Sequence, residues 1–293
     1  MDSKASPIEF DISDYKPDTE PFYIDVNGET EIFKAAYKER IPVMLKGPTG
    51  CGKSRFVERM AYELNQELTK GKKKDYALHG IPLVTVPCHE DLNADDLKGR
   101  YLLTGEYQEG PALAAVKNGG ILYLDEIVEA RNDTTVVIHP LADHRRSLFI
   151  EKLGKVFEAP DSFMLVVSYN PGYQRKVKDL KQSTKQRFVA IDFDYPPAKL
   201  ERKIVAHESD IDENIADYLV DIGGRVRNLK GKGLDEGAST RLLINAGKLM
   251  RNGISPLRAC EIAILNPITD DLDVYQDLRK GLADVIRNYF PEK

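Results

Sequence analysis

The segment Gly47-Pro48-Thr49-Gly50-Cys51-Gly52-Lys53-Ser54 constrains this chain more than any other stretch. It follows the apolar run Ile41–Leu45 and opens a stretch, about Lys53–Leu68, in which Phe56, Val57, Met60, Ala61 and Leu64 recur at helical spacing. A glycine-rich turn between a strand and a helix fits G-x-x-x-x-G-K-[ST] in its required setting. Glycines there let backbone N–H groups surround a triphosphate, the helix N-terminus adds its dipole, and Lys53 supplies a mobile cation. The Ser54 hydroxyl is suited to Mg²⁺. Residues Gly47 to Ser54 are therefore the candidate nucleotide-binding residues, with ATP and Mg²⁺ as the expected ligands.

Strands and helices alternate around this loop, the signature of a parallel sheet covered by helices. The expected strands are Ile41–Leu45, Leu83–Val86, Ile121–Leu124, Met164–Ser168 and Ala190–Phe193. The third runs into Asp125–Glu126. Asp125 is then placed to complete a magnesium shell and Glu126 to orient or deprotonate the attacking water. Two acids after an apolar strand also fit a helix N-cap, but the phosphate loop upstream favours the catalytic reading. The fourth strand runs into Ser168-Tyr169-Asn170-Pro171-Gly172. Strand ends form the ligand edge of a parallel sheet, so the Asn170 amide can hold the attacking water or sense the γ-phosphate. Phosphoryl transfer gains from a cation on the γ-phosphate. Arg187 and Arg241 are the two candidates, although neither stands out by spacing.

Charge narrows the partners. The 293 residues carry a net charge of −5, with 42% hydrophobic and 30% charged residues. That is a globular profile. A protein that works by neutralising nucleic-acid phosphates is usually basic, so nucleic acid is not the expected partner. No apolar run approaches the ~20 residues of a membrane span and the N-terminus has no apolar signal core. Membrane insertion is not expected, and the cytoplasm is the default location. Cys51, Cys88 and Cys260 lie far apart with no CxxC spacing, which argues against a disulfide framework or a structural metal. Cys88 reads instead as a small buried residue at a strand end.

Residues 1–20 carry six acids and few large apolar groups and read as an acidic flexible tail. An α/β nucleotide-binding domain is expected over residues 21–197. After Tyr195-Pro196-Pro197 the composition shifts to an all-helical lid domain over 198–293. Its expected helices are Lys199–Glu208, Glu213–Arg227, Thr240–Arg251, Pro256–Leu265 and Val274–Tyr289, and a short helix is expected earlier at Glu31–Arg40. Gly99–Gly110 and Ser147–Ala159 read as insertions, the second a β-hairpin turning at Leu153–Gly154. The Lys-rich stretch Lys70–Gly80 reads as a solvated loop.

With these elements placed, the chain resembles the AAA+ ATPases, within them the MoxR group, and more closely the CbbQ/NirQ/NorQ/GvpN family. The similar segments are LKGPTGCGKSRFVE (45–58), CHEDLNADDLKGRYLL (88–103), ILYLDEIVEARNDTTVVIHPLADHRR (121–146), VVSYNPGYQ (166–174) and LKQSTKQRFVAIDFDYPP (180–197). The resemblance as a whole covers roughly residues 22 to 270. The resemblance implies a five-stranded parallel sheet of order 5-1-4-3-2, a helical lid, and a homo-oligomeric ring expected to be a hexamer. It assigns Asn170 as sensor 1, Arg187 as the arginine finger on the neighbour's nucleotide, and Arg241 as the sensor-2 arginine of the lid. Arg131, Arg145 and Arg146 are alternative interface cations. Gly99–Gly110 becomes the helix-2 insert and Ser147–Ala159 the hairpin before sensor 1. Both then face the pore or the client, which gives Tyr101 and Leu102 a gripping role.

Such relatives act with a von Willebrand factor A-domain protein, CbbO- or NorD-like, to activate a client enzyme, either nitric oxide reductase or Rubisco. GvpN-like members serve gas vesicle formation. The function implied is an ATP-hydrolysing ring motor, a chaperone-like activase. The alternative is a nucleic-acid-associated AAA+ ATPase, such as a helicase loader or restriction motor. A small-molecule phosphotransferase that merely shares the phosphate loop is a third reading.

Overall fold

A computed structural model of the protein describes residues 7–12, 19–70, 81–171, 180–230, 234 and 236–289. Its strands are β1 (Val43–Lys46), β2 (Leu83–Pro87), β3 (Gly99–Tyr101), β4 (Tyr107–Glu109), β5 (Ile121–Asp125), β6 (Ser147–Ile150), β7 (Lys155–Glu158), β8 (Met164–Tyr169) and β9 (Val189–Asp192). Five of them form one sheet in the order β2-β5-β8-β1-β9, every neighbouring pair parallel. Numbered as core strands alone, that order reads 5-1-4-3-2. The other four make two antiparallel hairpins, β3–β4 and β6–β7.

The strands are apolar throughout because helices cover both faces of the sheet. Alternation along each strand then sorts its side chains into two cores. Met44, Leu122, Leu124, Leu165 and Val167 enter one. Val43, Leu45, Ile121, Tyr123, Met164 and Val166 enter the other. Around the sheet run α1 (Glu29–Lys38), α2 (Lys53–Lys70), α3 (Ala94–Lys98), α4 (Pro111–Asn118), α5 (Asn132–Ile138) and α6 (Gln182–Lys185). The stripe of Phe56, Val57, Met60, Ala61 and Leu64 presses α2 onto the second core. Burying side chains the size of Phe56 or Met60 contributes on the order of 1.5–3 kcal/mol each.

The chain divides into two compact units, Met1–Gly47 with Lys53–Phe193, and Pro48–Gly52 with Asp194–Lys293. The boundary anticipated at Pro197 thus falls at Asp194, and the apex of the glycine-rich loop groups with the helical unit. That unit contains α7 (Ala198–Ser209), α8 (Glu213–Arg227), α9 (Thr240–Arg251), α10 (Pro256–Cys260), α11 (Asn266–Ile268) and α12 (Leu272–Tyr289). Its core gathers Leu219, Val220, Ile222, Leu243, Ala246, Ile264 and Leu265. Asp212 caps α8 by accepting the Asn214 N–H at 2.8 Å.

Three expectations are revised. The helix expected over Pro256–Leu265 is α-helical only to Cys260 and widens to a π-turn over Glu261–Leu265. Pro267 has no N–H to return to the carbonyl four residues back, which disrupts the regular ladder there. Of the tail expected over residues 1–20, residues 1–6 and 13–18 lie outside the described residues, while Ile8 donates to the Tyr107 carbonyl at 2.8 Å and accepts from the Glu109 N–H at 3.0 Å. A hairpin of two strands leaves an unpaired edge, and Ile8 fills part of it on β4. Lys117 holds the adjoining Glu9 at 3.2 Å. The first insertion, Gly99–Gly110, contains the hairpin β3–β4, whereas Ser147–Ala159 turns through a short 3-10 segment, Glu151–Leu153, before Gly154. The Lys-rich loop expected over Lys70–Gly80 lies, from residue 71 on, outside the described residues, as does Gly172.

Candidate active site

Strand alternation decides which polar groups meet. Tyr123 faces α2, so Asp125, two residues on, faces the same way. On the neighbouring strand Val166 faces α2, and so therefore does Ser168. The first residues of α2 are Lys53 and Ser54. Ser54 Oγ lies 3.4 Å from Asp125 Oδ2 and 3.3 Å from the Tyr123 hydroxyl. Asp125 Oδ1 accepts from the Tyr123 hydroxyl at 2.6 Å and from Ser168 Oγ at 2.5 Å. Burial, then the Asp125 charge, pushes the Tyr123 phenol far above its ordinary value, so it remains a donor. These are hard oxygen ligands of the kind Mg²⁺ takes, and Ser54 with Asp125 offers two of them side by side.

Glu126 stands next in the chain and is exposed. Its backbone is left-handed, φ 56°, and its N–H donates to Ser168 Oγ at 3.0 Å. Such a conformation in a residue other than glycine costs on the order of 1–3 kcal/mol and persists only where the surroundings impose it. Ser168, fully buried, imposes it here while also orienting Asp125. Sequence reasoning passed over Ser168 and Tyr123 as strand residues; their signal is two polar atoms in strands otherwise apolar.

In the loop, Lys53 Nζ donates to the Gly47 carbonyl at 2.7 Å. Gly47 passes so close to β9's end that a Cβ would stand 2.4 Å from the Phe193 carbonyl oxygen. Gly50 and Gly52 take φ of 70° and 104°, conformations that only glycine adopts at no steric cost. Asn170 follows β8 directly and is half-buried. Lys46, the last residue before the loop, pairs in register with Tyr169, and the Gly47 N–H donates to the Tyr169 carbonyl at 3.2 Å. Asn170 thus leaves the sheet beside the start of the loop.

The arginines separate. Arg187 donates one guanidinium N–H to the Ser183 carbonyl, while its buried Nε finds no hydrogen-bond partner among the described residues. Arg146 donates to the carbonyls of Arg40, Pro160 and Phe163 at 3.1, 2.9 and 3.1 Å. That use of the guanidinium is internal. Arg145 and Arg131 pair with Asp143 and Asp133 at 2.6 and 3.4 Å and are exposed. Arg241, also exposed, is the second residue of α9. Cys88 is buried past the end of β2. Burial, with the Asp125 and Glu126 charges behind it, pushes its thiol up to about 12, so it is no nucleophile.

Helix α3, which leads into the first hairpin, is tied to the turn of the second by Lys98 to Glu151 at 2.7 Å and Lys152 to Asp95 at 2.5 Å, and the Tyr101 hydroxyl on β3 donates to the Lys152 carbonyl at 3.4 Å. Tyr101 remains half-exposed at 52%, but Leu102 is partly buried and the side chain projecting at the tip is Leu103. Leu102, for which exposure was anticipated, is drawn in because its N–H and carbonyl close the turn with Glu106 and Gly105.

Residues 42–188 match the AAA domain (dynein-related subfamily), and residues 201–288 match the CbbQ/NirQ/NorQ C-terminal domain. The chain is 57% identical over 264 residues to Protein CbbQ of Hydrogenophilus thermoluteolus, covering 89% of this chain and 93% of that one. It is 48% identical over 289 residues to the Denitrification regulatory protein NirQ of Stutzerimonas stutzeri, covering 98% of each. Protein NorQ of Paracoccus denitrificans is 50% identical over 268 residues, 90% of this chain and 94% of its own. Among solved structures, a RuvB mutant from Thermotoga maritima shares the fold at a TM-score of 0.50 and 14% identity, over 89% of this chain and 68% of that one.

Proposed function

The chain belongs to the CbbQ/NirQ/NorQ family of AAA ATPases, and on that premise we propose that it is a Mg²⁺-dependent ring motor that remodels a client enzyme. The observation that carries this reading is the meeting of Ser54, Asp125 and Ser168, with Glu126 held left-handed beside them. The loop Gly47–Ser54 receives the triphosphate. Lys53 turns from the Gly47 carbonyl to the phosphate oxygens. Ser54 and Asp125 hold Mg²⁺, which when bound neutralises charge on the phosphates. Glu126 orients and deprotonates the attacking water, and Asn170 reports the γ-phosphate. Arg187, half-buried just after α6, is the finger presented to a neighbouring subunit in a hexameric ring. Arg241 acts as the sensor of the helical unit.

Loss of the γ-phosphate changes these contacts, and the linked hairpins carry the change to a client. Membership of the CbbQ/NirQ/NorQ family supports a Rubisco or a nitric oxide reductase as the proposed client, with a CbbO- or NorD-like von Willebrand factor A-domain protein as the proposed partner. The test is reconstitution: inactive client, partner and this protein with ATP, assayed for client activity. Activation that depends on all three and is abolished by Glu126→Gln supports the reading. ATPase activity stimulated by DNA in a salt-dependent way, with no client activated, would favour a nucleic-acid motor instead.

A further inference from the structure

A buried carboxylate in the helical unit has no part in the chemistry above. Glu201, on α7, is 0% exposed. It accepts from Arg227 Nη1 and Nη2 at 2.7 and 2.6 Å and from Thr240 Oγ1 at 2.6 Å. Charge this deeply buried requires such complete pairing, and the fork of Arg227 meets it in the bidentate geometry that fixes orientation as well as charge. Arg227 continues the network, its Nε donating to the Ala238 carbonyl at 2.7 Å. The same guanidinium lies 4.1 Å from the ring centre of Tyr195. One ion pair therefore fixes the Ala238 backbone, the first residue of α9 and an aromatic ring at once.

Each of those three groups leads to the apex of the glycine-rich loop, which belongs to the same unit. Ser239, the N-cap of α9, stands where a Cβ on Gly50 would approach its side chain to 2.8 Å. Arg241 lies next along α9, its Cβ 3.3 Å from that same position. Tyr195 reaches the Thr49 carbonyl through a long hydrogen bond of 3.4 Å. From this geometry we infer that the Glu201–Arg227 pair is a positioning device for the triphosphate site. It holds the start of α9 and Tyr195 against residues 48–52, setting the loop apex and Arg241 in the arrangement that nucleotide requires. The inference deepens the ATPase reading and rests on it.

Neither residue touches nucleotide in this account, so a role in folding must be separated from a role in positioning. Breaking a buried pair by removing one partner destabilises strongly, whereas replacing both by apolar residues of similar volume is often neutral. Glu201→Leu with Arg227→Met is therefore the informative variant. Its thermal midpoint by circular dichroism and its Kd for a fluorescent ATP analogue are measured together. The expected result is a native-like midpoint with nucleotide bound about tenfold more weakly, because misplacing a preorganised site costs affinity without unfolding it. Native-like melting with wild-type affinity would overturn the proposal and leave the pair a fold element only.

If the double variant melts early, Tyr195→Leu decides, since it spares the ion pair. A several-fold weaker Kd at unchanged midpoint supports positioning, and an unchanged Kd overturns it. Lys53→Ala, run alongside, keeps the two levels apart. Wild-type affinity in that variant would refute the phosphate-loop reading itself, whatever Glu201 does.

Discussion

Ser168 Oγ donates to Asp125 Oδ1 at 2.5 Å and accepts the Glu126 N–H at 3.0 Å, so one buried hydroxyl orients both acids of the site. Ser168→Ala removes the donor that aims the Asp125 carboxylate and leaves the Glu126 N–H without that acceptor. Outer-shell partners of a metal-ligating carboxylate are typically worth about 10- to 100-fold in metal affinity or activity. ATPase assays across a Mg²⁺ titration should show kcat reduced, and the Mg²⁺ requirement raised, within that range. Nucleotide affinity measured without Mg²⁺ should stay near wild type. Full activity at wild-type Mg²⁺ would show that Asp125 needs no such support.

Lys53 and Glu126 should fail differently. Lys53 Nζ rests 2.7 Å from the Gly47 carbonyl, inside the loop it serves. Hydrogen bonds to charged groups contribute about 1.5–3 kcal/mol, so Lys53→Ala should weaken ATP binding by about 10- to 100-fold. Glu126→Gln keeps shape and left-handed backbone but cannot take a proton. Positioned general bases supply about 10²–10⁴-fold. That variant should bind ATP normally in a filter-binding assay while kcat falls within this range. Hydrolysis at the wild-type rate in Glu126→Gln would mean that another group activates the water.

Physical locality explains which of these features the chain disclosed in advance. The loop Gly47–Ser54 carries its whole requirement in eight consecutive residues, and α8 announces itself by the apolar stripe Ala216, Leu219, Val220, Gly223 and Val226. Each core strand is a short apolar run, so the sheet was legible to within two residues at every strand end. The strands β3 and β4 are three residues each, too short for alternation to register. Ser168 and Glu201 were illegible for another reason. A serine in a strand, or a glutamate in an amphipathic helix, has the same one-letter pattern whether it faces water or a buried partner. Only the packing of β8 beside β5, and of α7 against α8 and α9, reveals which it is.

His139 predicts a pH dependence. Its Nε2 lies 2.9 Å from Thr184 Oγ1. Burial lowers its pKa from 6.5, the Arg187, Lys181 and Arg145 charges lower it further, and Asp143 opposes them. The folded state therefore resists a proton that the unfolded chain accepts near its ordinary pKa of about 6.5. Stability from this group is present above that pH and is lost as pH falls below it toward the folded value. The melting temperature should drop between pH of about 7.5 and 5.5, where most carboxylates remain ionised. His139→Gln retains a partner for Thr184 and should flatten the curve. Equal slopes in the two proteins would assign the pH dependence to other groups.

Arg187 offers the sharpest test of a shared site. Its Nη1 is anchored on the Ser183 carbonyl, while its Nε is buried with no partner among the described residues. If the finger acts on the neighbour's nucleotide, Arg187→Ala should lose about 10³- to 10⁵-fold in kcat while still binding ATP. Lys53→Ala should be inactive for the opposite reason, having a finger but no working loop. Mixed before assay, the two proteins form rings in which an intact loop faces an intact Arg187, and phosphate release should return in proportion to such pairs. A finger acting within its own subunit predicts no recovery at any mixing ratio. The same mixing run with Arg131→Ala and Arg145→Ala, whose guanidinium groups pair with Asp133 and Asp143, identifies the finger directly. Only the variant that loses hydrolysis alone and regains it beside Lys53→Ala supplies the cation across the interface.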